Sequence, residues 1–227
     1  MRNIKYLILI TLLTASSAFA VELKWDDYRA AMSKGYDASI AYVNSITELP
    51  QYFKGTVSQF KTAALINIKL SAYHMGLTEP QVSSLRAEAV SLFNENKDLL
   101  PATESLSIAL RLQNYPIAAS KIDACKAELN AGQLIKAALV CYNSGAISKS
   151  KCVEYLILAS TKEISSSHMK DVTNAVLSIP RRGIDGEPLM TAEERKTFYS
   201  NFLAFVEVSE DSKQLLGICK TQYQLVK

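Results

Sequence analysis

Glycine and proline are scarce, at 8 and 6 of 227 residues. That scarcity disfavours both a turn-rich all-β fold and extended disorder. No stretch alternates apolar and polar residues over a useful length, so strands are not expected. Beyond the first twenty residues, no apolar run approaches the roughly 18 to 20 residues needed to span a bilayer. Histidine occurs twice, as His74 and His168. The metalloprotease H-E-x-x-H, the P-loop, the dinucleotide G-x-G-x-x-G and the hydrolase G-x-S-x-G are all missing. Cysteine is limited to four residues, and no two of them form a C-x-x-C redox pair.

Acidic residues are absent from the first twenty positions, MRNIKYLILITLLTASSAFA. Arg2 and Lys5 form a short basic start, Tyr6 to Leu13 an apolar run, and Ala18-Phe19-Ala20 a small-x-small cleavage site. Residues 1–20 therefore read as a secretory signal of Gram-negative appearance, too short to span a membrane. Its removal takes Arg2 and Lys5 from the 25 basic residues, leaving 23 against 22 acidic ones. A mature chain so close to neutral lacks the concentrated basic footprint that nucleic acid requires. The expected setting is periplasmic or secreted, with no stable membrane insertion after cleavage.

What remains is rich in helix formers. The spacing of apolar residues predicts an all-α fold of about nine or ten short to medium helices. They would stack as antiparallel hairpins, bundle-like or solenoid-like. The first helix is expected over 25–46, with Trp25, Tyr28, Met32, Tyr36, Ile40 and Val43 on one face and Gly35 as a point of kink or break. A second is expected over 53–75. Thr78 with Gln81, and Thr191 with Glu194, read as capping boxes. Later helices are expected over 102–113, 133–142 and 148–160. Pro180 ends another before the loop Arg181 to Met190, and two more close the chain. Residues 21–227 read as a single all-helical domain with a possible sub-division near 101. Ala109-Leu110 with Asn114 returns as Ala138-Leu139 with Asn143, a faint echo of a repeat.

Exported cysteines are expected to oxidise. Cys141 and Cys152 are separated by a chain reversal, which favours pairing 141–152 and leaves Cys125 with Cys219. The alternative is 125–141 with 152–219. Zinc ligands usually come in close pairs, so neither a metal nor another cofactor is expected.

The loop RRGIDGEPLM concentrates charge on a rigid helical scaffold, where binding residues gather. Arg181, Arg182, Asp185 and Glu187 are its candidate partner-binding residues. Asp185 and Glu187 alone supply too few ligands at the wrong spacing for a calcium loop. Tyr28, Tyr36 and Tyr42 offer a second contact surface, or simple boundary packing. Glu104-Ser105 superficially resembles the Glu-Ser pair of soluble lytic transglycosylases. That family's Gly-Leu-Met-Gln signature is absent, so Glu104 reads as first-turn helix charge. The sum points to a non-enzymatic protein-binding role, as an immunity protein or inhibitor of an envelope-acting toxin or hydrolase. The alternatives are a wall- or lipid-processing enzyme with an unrecognised carboxylate, and a helical carrier of an apolar ligand.

Overall fold

The computed structural model describes residues 25–50, 53–205 and 212–224. The expected signal segment lies outside them. Among the described residues the protein is all-helical, with eleven α-helices, two 3-10 turns and no strand beyond one isolated bridge. None of these helices is long and apolar enough to cross a membrane. The chain forms two compact units, residues 1–112 and 113–227.

The first unit opens with α1 (Trp25–Lys34) and α2 (Tyr36–Ser45). The sequence reading made these one helix. Gly35 separates them with φ 111°, ψ −172°, a conformation open to glycine and strained for other residues. This break raises the helix count above the nine or ten expected. Next come α3 (Val57–Leu70), a 3-10 turn (Ala72–Met75), α4 (Glu79–Asn96) and α5 (Ala102–Arg111). The helix expected from residue 53 starts later because Thr56 and Gln59 close a reciprocal capping box there. At Thr78 the capping side chain is the expected one, with the Thr78 amide donating to Gln81 Oε1 at 3.0 Å. Successive helices pack on one another from α1 to α4, and α5 returns to α3. Val43, Ile66, Ile68, Phe93 and Ile108 form the core.

The second unit contains α6 (Tyr115–Cys125), α7 (Ala131–Asn143), α8 (Lys149–Ser160), α9 (Met169–Leu177), α10 (Ala192–Phe205) and α11 (Lys213–Gln224). Helix α7 is its centre. Ten of its 13 residues are buried, because α6, α8 and α9 all pack on it. Asn130 and Gln133 cap it reciprocally at 2.9 and 3.0 Å. At its N-terminal end Gly132 lies so close to α9 that a Cβ would meet Val172 N at 3.2 Å and the Asp171 carbonyl at 3.3 Å. Helix α10 packs on α8, and α11 on α10 and α9. Phe198 and Phe202 fill that side edge-to-face, with ring centroids 5.0 Å apart. The faint echo has no structural counterpart: Asn114 caps the start of α6, whereas Asn143 is the last residue of α7.

Candidate functional site

The expected recognition loop is a braced hairpin rather than a slack connector. The Leu189 amide donates to Arg181 O at 3.1 Å, and the Gly183 amide to Glu187 O at 2.7 Å. Gly186, at φ 80°, makes the reversal and donates its amide to Gly183 O at 3.0 Å. Inside the turn, Arg182 Nη1 donates to Gly186 O at 2.7 Å and the Glu187 amide to Asp185 Oδ1 at 3.0 Å. Leu189 and Met190 root the hairpin in the core of the unit.

Two contacts tie the tip to the α7–α8 corner. Tyr142 Oη accepts the Ile184 amide at 3.1 Å. Lys149 Nζ reaches Asp185 Oδ2 at 3.2 Å, and that contact holds the Asp185 carboxyl below its ordinary range. Gly183 is required at the first contact, since a Cβ there would sit 2.2 Å from Tyr142 Oη. A tip so constrained presents Ile184 to solvent with 63% of its surface exposed.

The four predicted loop residues thus divide. Arg182 and Asp185 brace the hairpin, and the Glu187 side chain is exposed. Arg181 lies at the hairpin's root and lines a cleft with Arg195 and Tyr199. Sequence reasoning missed Ile184, Tyr142 and Lys149. Only the Gly-Ile-Asp-Gly pattern, an apolar residue between turn formers, marks Ile184 in the sequence.

All four cysteines are buried thiols and none is paired, so neither expected staple is seen. Burial pushes Cys125 and Cys141 up to about 11, and Cys152 and Cys219 up to about 12. Cys152 is raised further by its neighbour Cys141. Cys141 is in the last turn of α7 and Cys152 in the first turns of α8, across the short reversal. Cys125 and Cys219 lie on α6 and α11, whose main packing partners differ: α7 for the first, α10 and α9 for the second.

In the first unit, α5 turns an unusually polar face inward. Glu104, Ser105 and Ser107 are all buried. Glu104 has no ion-pair or hydrogen-bond partner among the described residues, its carboxyl oxygens keep some access to solvent, and burial pushes its carboxyl up to about 7. The structure places Glu104 in the first turn, as read from the sequence, but burial disfavours the charge expected there. Arg111, two turns further along α5, bonds Asn67 Oδ1 and, at 3.0 Å, Ser71 Oγ on the α3 side. Burial lowers its guanidinium to about 10, partly offset by Tyr28.

The tyrosines and histidines singled out in the sequence lie elsewhere. Tyr28 and Tyr42 meet at a tilt of 47° with centroids 5.9 Å apart, and Tyr36 Oη accepts from Lys69 at 3.1 Å. His74 is exposed beside Tyr73, and His168 Nδ1 lies 2.7 Å from Ser165 Oγ. Among the described residues no three His, Cys, Asp or Glu side chains gather as a metal cage would need. No protein-family model matches this chain, and no curated protein or solved structure does either.

Proposed function

We propose that this is an exported, periplasmic protein-binding protein, an immunity protein or inhibitor that neutralises an envelope-acting toxin or hydrolase. The observation that carries this reading is the hairpin Arg181 to Met190. Its backbone is fixed by internal bonds and by Tyr142 and Lys149, yet it holds an apolar side chain in water at its tip. Keeping Ile184 exposed gains nothing for folding. Against a partner, the rigid loop loses little entropy on docking and supplies an apolar anchor with a charged rim. Inhibition by occlusion follows if the tip enters the target's cleft.

The test is capture from envelope extracts of the source cells, using the mature chain and its Ile184→Asp variant side by side. The expected result is one stoichiometric protein that is toxic or hydrolytic alone, is silenced by the wild type, and is lost with the variant at unchanged helical content. Equal capture by both chains would reject the loop. Recovery of wall fragments alone would favour a second reading.

That second reading is a wall- or lipid-processing enzyme, and it rests on Glu104. A carboxyl near 7 suits a general acid. Loss of wall cleavage in Glu104→Gln, with the fold intact, would support it. Export also bears on the cysteines. The proposed staple is Cys141–Cys152, the pair that faces itself across the α7–α8 reversal.

A further inference from the structure

Beneath the root of the hairpin lies a cleft of about 160 Å³, formed within the second unit by the end of α9, the first two turns of α10 and the second half of α11. Its lining combines apolar residues, Ile179 and Ile218 among others, with Arg181, Arg195, Tyr199 and Gln222. Helix spacing builds it. Arg195 and Tyr199 stand one turn apart on α10, and Ile218 and Gln222 one turn apart on α11.

Three polar groups there are unused. Among the described residues neither Arg181 nor Arg195 has an ion-pair or side-chain hydrogen-bond partner, and the Tyr199 hydroxyl has none. Tyr199 is only 7% exposed, yet its hydroxyl keeps access to solvent, since no buried side-chain polar atom among the described residues lacks a partner. Burial pushes the phenol up, Cys219 adds to this, and Arg195 and Arg181, which line the same cleft, pull it back. The two guanidinium groups make the polar lining of the cleft electropositive. An anion there can pair with both guanidinium groups and accept from the phenol. Guanidinium groups favour the planar, two-oxygen geometry of a carboxylate, and the apolar wall favours a ligand with a hydrocarbon body. The cleft is well below the size of a drug-like pocket.

We infer that this cleft binds a small carboxylate with a short apolar body, its head between Arg181 and Arg195 and its body against Ile179 and Ile218. The Tyr199 hydroxyl donates to one carboxylate oxygen. This site is independent of the hairpin tip, and its test is independent of any protein partner.

The experiment is an NMR titration of the full mature chain with hexanoate, 1-hexanol and acetate at constant ionic strength. The readouts are the Ile218 methyl and Arg195 Nε–H signals. Hexanoate is expected to give saturable shifts at both, with acetate and hexanol each weaker by about tenfold or more. Arg195→Gln and Arg181→Gln should each weaken hexanoate by roughly tenfold, the loss of one charge-assisted pair. Tyr199→Phe, which keeps the ring, should weaken it by roughly threefold to tenfold. Unsaturable shifts overturn the proposal, as does hexanol binding as well as hexanoate. So does undiminished hexanoate binding in the Gln variants, whose native helical content is checked by circular dichroism.

Discussion

Glu104 shows how one side chain changes meaning once its surroundings are known. Its position in the first turn of α5 suits a negative charge, but its 9% exposure opposes one. The folded chain raises the carboxyl from an ordinary 4.5 to about 7. Native protein therefore holds a proton that the unfolded chain releases. This contribution is full below pH 4.5, declines as pH rises through 7, and is lost above it. Glu104→Gln should melt close to the wild type at pH 4 and above it at pH 8, by roughly 2–3 kcal/mol. A melting difference that does not change with pH would refute the buried-acid account. The sequence could not show this, because Glu-Ser in a first turn looks the same buried or solvated. Ile184 was hidden for the mirror-image reason: an apolar loop residue is notable only when known to be exposed. Its support is testable. Gly183→Ala should cost about 1–3 kcal/mol by driving a methyl into Tyr142 Oη, and Tyr142→Phe about 1 kcal/mol through the lost Ile184 bond. In a double-mutant cycle the Ala substitution should cost less in the Phe background, since the closest clashing atom is gone. Strict additivity would mean that the two residues do not meet.

At the scale of elements, much was legible. Thr191 and Glu194 cap α10 reciprocally at 2.8 and 3.2 Å, as their spacing indicated, and Pro180 stops the chain after α9. What failed were features set by backbone conformation or by neighbours. Periodicity runs straight through Gly35, because a single left-handed residue barely disturbs a pattern of threes and fours. The Asn130–Gln133 box was passed over because α7 is apolar nearly all round, so its start has no change of face to mark it. Gly132 sits just inside that box. Glycine at a helix position usually invites replacement by alanine, which gains up to about 1 kcal/mol. Here the new methyl would press on the backbone of α9 at 3.2–3.3 Å, and a helix backbone yields less readily than a side chain. Gly132→Ala is therefore expected to lower stability by about 1 kcal/mol or more, measured by urea unfolding. A gain would show that α9 shifts freely over α7.

For the molecule as a whole, compartment and fold meet at the thiols. A thiol at about 11 or 12 is almost wholly protonated at neutral pH, and exchange requires the thiolate. The folded core therefore shields its cysteines from oxidant as well as from solvent. If Cys141 and Cys152 pair, they must do so while the second unit is still assembling, in an oxidising compartment that passes its disulfide to the chain by exchange. Two preparations of the mature chain should then differ, one exported and one made in a reducing cytosol. The reduced chain is expected to expose four reactive thiols in denaturant and almost none when native. The exported chain should show two fewer in denaturant, with a cross-linked peptide containing Cys141 and Cys152. Closing that ten-residue loop adds roughly 2–3 kcal/mol, which for a unit near a hundred residues is on the order of 10 °C in melting temperature. Reduction under denaturing conditions should abolish the gain. Four free thiols in the exported chain would instead make the cysteines plain core residues. The stability of the second unit would then rest on helix packing without a staple.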